Sequence, residues 1–223
     1  LTATGGTVVI TGNVAAGHSL DLTGLPSAVS VSFADIAESP AAIAVDTGGL
    51  IKLTAAQAAG QTITGLGQTT IEVDGNSAAD LPGITTTTKV LKVLDNLSFT
   101  GTLGSLSVDV ATGKTLTVSG ASIGAGQVVT ATAATVALTG AIDADIAGRV
   151  TASVLDITGA TGYLPTAVAG YTLRLTAAEA TGQTITGTGV LDIVSAAVGT
   201  AYDFHMLATE LTTSVTFSAG GTL

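Results

Sequence analysis

Residues 53–67 read LTAAQAAGQTITGLG, and residues 175–189 read LTAAEATGQTITGTG. Twelve of these fifteen positions are identical, at an offset of 122 residues. A chain that repeats one segment this closely is usually built by stacking copies of a structural unit, because each unit buries its apolar face against the next. The duplication therefore favours a repetitive scaffold over an enzyme with a single catalytic pocket.

A shorter pattern accompanies the duplication: a glycine, one variable residue, and an alternating run of Thr and aliphatic residues. It recurs as GHSLDL (17–22), GQTITG (60–65), GKTLTV (113–118), GQVVTA (126–131), GYTLRL (170–175) and GQTITG (182–187). Glycine supplies the positive φ of a tight corner, and alternating β-branched residues favour a strand. We expect the variable position to face outward because it accepts different side chains; it is held by His18, Gln61, Lys114, Gln127 and Gln183.

The composition favours a narrow aliphatic core. The chain has 223 residues, of which 46% are hydrophobic but only 3% aromatic, with no Trp and no Cys. That length allows one large all-β domain or two small ones, and disulfides are excluded. We predict an all-β protein, a parallel β-solenoid (β-helix) with short helical turns. The alternative is a tandem pair of β-sandwich domains, which usually bury a large aromatic residue.

Short alternating segments broken by glycine predict strands along most of the chain. Helical candidates are few. Thr54 and Thr176 each precede a short Ala-rich run, so both predict a single helical turn with Thr as the N-cap. Two longer candidates are FADIAESPAAIAVD (33–46), which Pro40 interrupts, and the amphipathic AYDFHMLATEL (201–211).

The domain organisation follows from the repeats. We interpret residues 1–223 as one continuous repetitive β domain that is part of a longer chain, since it begins without Met. The two ends also resemble each other, as ATGGTV (3–8) and SAGGTL (218–223). The segment DGNSAADLPGITTTT (74–88) is the most loop-like. It predicts either an excursion between coils or a boundary between half-repeats.

The charge argues against one class of partner, and the spacing of apolar residues argues against another. Six basic residues stand against sixteen acidic ones, for a formal net charge of −10. We expect no nucleic acid, because its binding depends on Lys and Arg against phosphate. We expect no membrane insertion either, since no window offers about 18 consecutive apolar residues. Lys89 and Lys92 flank aliphatic residues on an alternating segment, and they predict a basic strand edge that discourages unwanted pairing.

The two fifteen-residue blocks, together with VLDNLSFTG (93–101) and VLDITG (154–159), resemble the repeats of very large bacterial surface proteins. These include S-layer proteins and giant exported adhesins. The resemblance implies an extracellular or cell-surface location and a non-enzymatic structural role. It also implies assembly with copies of itself into a lattice, filament or stalk. We expect the copies to associate through the β edges of the terminal coils, which are unpaired. One feature departs from the pattern: the calcium nonapeptide GGxGxDxUx does not occur in the sequence.

Asp143 and Asp145 are the candidate metal ligands, because they place two carboxylates on one side of an extended segment. Calcium, the only cofactor that we consider, requires several further oxygen ligands, and a solvated acidic loop is the alternative interpretation. His18 and His205 stand in no zinc-ligand pattern. We expect no catalytic residues. GASIGAG (120–126) lacks the ending of a phosphate-binding loop and predicts a coil corner instead.

A binding module is the alternative function. Such an adhesin domain would recognise a glycan or a protein on another cell surface. It would need a localised aromatic patch, for which the sequence offers Tyr163, Tyr171 and Tyr202.

Overall fold

The computed structural model describes residues 6–11, 14, 18–23, 29–34, 42–47, 49–73, 76–165, 167–196, 200–207 and 211–217. Within them the chain forms the strands β1 (Gly6–Thr11), β2 (Ser19–Asp21), β3 (Val29–Ala34), β4 (Ala42–Ala44), β5 (Leu50–Thr54), β6 (Thr62–Thr64), β7 (Gln68–Val73), β8 (Thr88–Val93), β9 (Leu97–Phe99), β10 (Ser107–Val110), β11 (Thr115–Ser119), β12 (Val129–Ile142), β13 (Val150–Gly162), β14 (Ala167–Val168), β15 (Thr172–Thr176), β16 (Thr186–Gly187), β17 (Val190–Ala196) and β18 (Thr212–Phe217). Single helical turns are α1 (Ala55–Ala58), α2 (Ile146–Arg149) and α3 (Ala177–Ala180), with a 3-10 turn at Gly120–Ser122.

The strands stack as successive coils of a parallel β-solenoid with about eight turns. Every strand pair within the described residues is parallel. The predicted solenoid is therefore confirmed. A tandem pair of sandwiches is excluded because such domains are built from antiparallel sheets.

The largest sheet consists of two columns of strands that share β12 and β13. The first column runs through β2, β5, β7, β8 and β10, and the second through β9, β11, β15, β17 and β18. Near the start of β12, Val129 pairs with β10 and β13, whereas Thr135 pairs with β11 and β13 further along. These two strands of 14 and 13 residues therefore join the two columns into one sheet.

In-register pairing stacks like residues above one another in the core. Leu53, Ile71 and Leu91 are register partners in the first column, and all three are fully buried. Leu155, Leu173 and Leu191 form the corresponding stack in the second column. Each such side chain contributes roughly 1.5–3 kcal/mol of transfer free energy, so a core almost free of large aromatic residues can hold the coils together.

The two predicted helical turns are confirmed, with the expected caps. In α1, Thr54 Oγ1 accepts the Gln57 amide at 3.3 Å, and the Thr54 amide donates to Gln57 Oε1 at 2.8 Å. In α3, Thr176 Oγ1 accepts the Glu179 amide at 3.2 Å, and the Thr176 amide donates to Glu179 Oε2 at 2.7 Å. Both are reciprocal capping boxes, which satisfy backbone donors that a single turn leaves without partners.

Glycine is required where adjacent coils approach most closely. Gly65 and Gly187 occupy the same position of the two copies, with φ of 110° and 123°. A Cβ at either position would overlap the backbone of the preceding coil, at the carbonyl oxygen of Val45 or of Val168. Positive φ and close approach together leave room for no other residue.

The amphipathic helix predicted at 201–211 is wrong over the described residues 201–207. Leu207 forms a parallel bridge with Ile185 of the preceding coil, and Asp203 Oδ1 accepts the His205 amide at 3.2 Å. The Asp side chain competes with helical backbone bonds, and the bridge extends the coil. The other helix candidate begins in strand, since Phe33 and Ala34 end β3; its residues 35–41 lie outside the described part, and Ala42–Ala44 form β4.

The variable position after the corner glycine does not always face outward. Gln127 is only 5% exposed, and its Nε2 donates to the Leu106 carbonyl at 3.0 Å. Its Oε1 accepts the Gly124 amide. A long amide can turn inward and join two coils when both its ends find partners, so the prediction was wrong at this position.

The predicted basic strand edge is also wrong. Lys89 and Lys92 lie in β8, which pairs with β7 on one side and β10 on the other. Lys92 is in register with Glu72 and Asp109, so it stands between carboxylates on neighbouring strands.

The segment expected to be a loop at 74–88 contributes backbone pairing wherever it is described. Ser77 forms a parallel bridge with Phe99, and Ile84 forms one with Ile63. The Gly60 amide also donates to the Asp80 carbonyl at 3.1 Å. Residues 76–88 therefore lie within the stack, bonded to the coil on either side. The glycine-rich corner at 120–126 carries the 3-10 turn, as its interpretation as a coil corner predicts.

Candidate functional site

The two candidate metal ligands lie in the loop between β12 and α2. Asp143 Oδ1 accepts the Asp145 amide at 3.1 Å, and the same carboxylate forms an ion pair with Arg149. The Arg149 hydrogen bond holds the pKa of Asp143 below its ordinary value. Asp143 is thus engaged by a cation from its own chain, while Asp145 is exposed. Within the described residues, no group of three or more His, Asp or Glu side chains is placed to hold a metal ion.

Arg149 connects this loop to the preceding coil. Its Nη1 donates to the Ile123 carbonyl, and its side chain is 12% exposed. A surface depression of about 560 Å³ adjoins it, bounded by the corner at 120–126 and by Asp143. The buried Nε finds no partner among the described residues. With both ends of the guanidinium engaged, the arrangement ties two coils together.

The two histidines are far apart in the sequence and lie in different surroundings. His18 is exposed before β2. His205 Nδ1 contacts Asp203 Oδ1 in an exposed pair, and this hydrogen bond holds the pKa of Asp203 below its ordinary value. Neither histidine joins a cluster of metal-ligand side chains in the part of the chain that the structure describes.

The three tyrosines differ in exposure. Tyr163 is 38% exposed, whereas Tyr171 and Tyr202 are half-buried and pack against the core. Burial raises the pKa of Tyr171, and the Tyr202 ring stacks on Phe204 with centroids 5.9 Å apart. The structure therefore offers one exposed ring of the three.

A row of charged side chains runs across three strands of the second column. Asp156, Arg174 and Asp192 are register partners on β13, β15 and β17. Arg174 Nε lies 2.7 Å from Asp192 Oδ2, and Nη1 lies 3.7 Å from Asp156 Oδ2. Ser214 on β18 continues the row by donating to Asp192 Oδ1 at 3.0 Å. Sequence reasoning missed it, although matched Asp and Arg positions in successive alternating segments were a usable signal.

The ends of the sheet are the edges through which we expect self-association. β18 stands at one end of the strand order and β2 at the other. The Thr212 amide donates to the Gly189 carbonyl at 3.3 Å, toward β17. Because successive residues of a strand point their backbone groups to opposite sides, Thr213 and Val215 direct theirs away from β17. Among the described strands none pairs with that side of β18.

Comparison of the chain with known protein families, with curated proteins and with solved structures found no match. None of the helices within the described residues is long and apolar enough to cross a membrane.

Proposed function

We propose that this chain is a non-enzymatic structural segment of an exported bacterial surface protein, which associates with copies of itself through the ends of its solenoid. The observation that carries the proposal is the strand β18, whose outer backbone groups have no partner strand among the described residues. Such an edge is a template for another parallel strand. The internal duplication adds support, because a repetitive scaffold serves mechanical continuity.

The proposed mechanism is axial pairing. A second copy would add its first coil to β18 and continue the column in which each strand pairs with the next. The surface of the chain fits this role. Its charge of −10 makes the lateral faces repel one another, so association is directed to β18, whose exposed residues are uncharged. Ser214 and Thr213, which are exposed on β18, bring no charge to that edge.

Electron microscopy of the purified full chain tests the proposal. We expect ordered filaments or sheets at high protein concentration. The comparison includes millimolar calcium in one sample and a chelator in the other, and loss of order on chelation would give calcium a role in assembly. Dispersed monomers under both conditions would refute self-association.

Two matched variants locate the contact. Thr212 on the end strand β18 and Val190 on the interior strand β17 are register partners, and both side chains are exposed. We expect Thr212→Lys to abolish assembly, because a charge at a strand edge opposes pairing. Val190→Lys adds the same charge to a strand already paired on both sides, and should leave assembly intact. Equal loss in both variants would indicate a lateral contact instead.

The second candidate function is an adhesin module that binds a glycan or a protein on another surface. The exposed Tyr163, which borders a depression, favours it. Binding to cells that Tyr163→Ala removes, with assembly unchanged, would support this function over the structural one.

A further inference from the structure

The C-terminal copy carries a depression that adjoins α3. It has a volume of about 420 Å³, within the size range of small-ligand sites, and its lining includes Ile157, Tyr163, Leu164, Glu179 and Gln183. The exposed Tyr163, the apolar Leu164 and the acidic Glu179 line the same depression. No Lys, Arg or His is among the lining residues.

Glu179 occupies the position that Gln57 holds in the N-terminal copy. Gln57 uses both ends of its amide: Oε1 accepts the Thr54 amide, and Nε2 donates at 2.8 Å to the Leu22 carbonyl of the preceding coil. A carboxylate can fulfil only the first of these roles, because when ionised it has no donor. Glu179 Oε2 accepts both the amide and the hydroxyl of Thr176.

Glu179 Oε1, the second carboxylate oxygen, therefore replaces the donor Nε2 of Gln57 and cannot donate a hydrogen bond. Within the described residues, Glu179 Oε1 accepts no hydrogen bond. Ile157 takes the place of Leu22, since each follows the Asp residue that pairs with the basic residue of the next strand. Ile157 and Glu179 both line the depression. No cationic side chain among the lining residues balances the charge of Glu179.

We propose that this depression binds a protonated primary amine on an alkyl stem, the chemistry of a lysine side chain. An ammonium group has three donors and no acceptor, which matches the carboxylate oxygen. Tyr163 adds an aromatic ring, which attracts a cation, and Leu164 packs against the stem. The negative charge of the whole chain raises the local concentration of cations. The proposal does not rest on the assembly role.

The same chemistry disfavours other ligands. A calcium ion takes six to eight oxygen ligands, and Glu179 is the only carboxylate among the lining residues. A neutral saccharide brings hydroxyl groups that would be satisfied equally by an amide in place of Glu179. The substitution Glu179→Gln therefore separates an ammonium from a saccharide.

The test is an NMR titration of the full chain with butylammonium chloride, with n-butanol as the neutral probe of the same length. We expect the Tyr163 ring and the Glu179 backbone resonances to shift with butylammonium at millimolar concentration, and the shifts to diminish in high salt. Equal shifts with butanol would reduce the site to an apolar depression. The absence of any shift with butylammonium would overturn the proposal.

Two variants complete the design. Glu179→Gln should weaken butylammonium binding about tenfold, because a charge-assisted bond is lost, while Tyr163→Leu should weaken it about threefold. Gln keeps the length of the capping residue and Leu keeps an apolar side chain at position 163, so neither variant should unfold at a lower temperature than the parent. Undiminished binding by both variants would place the amine elsewhere. A saccharide ligand is indicated if glucose, and not butylammonium, shifts the same resonances.

Discussion

The two copies of the duplicated segment can be compared directly within one molecule. Strand β5, helix α1 and the bridge residue Ile63 recur 122 residues later as β15, α3 and Ile185. The capping threonines and the close-approach glycines coincide as well. What differs is the side chains that reach the neighbouring coil. Backbone geometry is thus the shared part of the repeat, and contacts between coils are the variable part.

The strand that lies before each copy in the sheet also repeats its side-chain contacts. Asp21 and Asp156 each accept the hydroxyl and amide of the Thr two residues later, and each pairs with a basic residue on the next strand, Lys52 or Arg174. The register partners Asp21 and Lys52 are 31 residues apart, whereas Asp156 and Arg174 are 18 apart. Stacking therefore fixes the pair regardless of how much chain separates its members.

The largest expected effect tests the shared backbone. Gly187→Ala should destabilise the protein by about 3 kcal/mol or more, since it forces a side chain into a positive-φ region against the Val168 carbonyl. Gly182→Ala is the matched control in the same copy. Its φ is 70°, but a Cβ there meets nothing within 4 Å, so we expect a cost of about 1–2 kcal/mol. Urea unfolding measures both, and equal losses would refute the close-approach argument.

The next effect tests the amide that joins two coils. Gln57→Ala should cost about 2 kcal/mol, because the Leu22 carbonyl loses its donor. Glu179→Ala should cost about 1 kcal/mol, because only the capping interaction is lost. The converse change, Glu179→Gln, restores a donor and should stabilise the protein by roughly 0.5–1 kcal/mol. Equilibrium unfolding of the three variants measures these changes in stability. A destabilised Glu179→Gln would show that positions 57 and 179 are not equivalent in the two copies.

A smaller effect separates the two ion pairs. Arg174 faces two carboxylates that are 18% and 17% exposed, whereas Lys52 faces one that is 51% exposed. Arg174→Met leaves Asp156 and Asp192 without their cation and should cost about 1–2 kcal/mol after screening by solvent, against about 0–0.5 kcal/mol for Lys52→Met. The difference should narrow in 1 M NaCl, at about a 3 Å screening length. Equal losses of stability in the two variants at low salt would contradict the expected difference between the two ion pairs.

The smallest expected effect is on the stability of the fold at acid pH. The hydroxyl of Thr23, with its amide and Lys52, holds the pKa of Asp21 below its ordinary value. A carboxyl whose folded pKa is depressed stabilises the fold above its unfolded pKa of about 3.9, and this stability is lost as pH falls through the folded value. We therefore expect Thr23→Val to raise the Asp21 pKa measured by carboxyl carbon NMR, and to reduce the acid sensitivity of stability below about pH 4.

Thr23→Ser is the control for that titration. It keeps the hydroxyl, so the pKa of Asp21 should stay close to that of the parent. A pKa unchanged by Thr23→Val would show that the amide of residue 23 and Lys52, rather than the hydroxyl, lower the pKa of this carboxyl.

Much of the fold was predictable because it depends on local sequence patterns. The glycine corners, the alternating runs and the Thr caps act over a few residues, and the strands at Leu50–Thr54 and Thr172–Thr176 and the turns α1 and α3 appear where those patterns lie. Residues 201–207 were not predictable in this way. Their helical spacing is real, but the bridge between Leu207 and Ile185 is a contact across 22 residues.

The candidate sites were less predictable than the fold. Asp143 was singled out as a carboxylate, but its ion pair depends on Arg149, which a pattern of acidic residues does not indicate. Gln127 and Lys92 were placed at an outer position and at an edge, yet one is buried and the other lies within the sheet. For Gln127 and Lys92 the partners lie in neighbouring coils, and nothing at the residue itself indicates them.

The sequence by itself determined the repeating unit: the glycine corners, the alternating strands between them, and a core of small aliphatic residues that favours a narrow stack. Those properties depend on backbone conformation and side-chain size within each segment. Only the tertiary structure decided which strand lies above which, and therefore that Arg174 stands between two carboxylates and that Glu179 borders a depression. The reason is that register between coils is a long-range choice, fixed by the packing of complete turns.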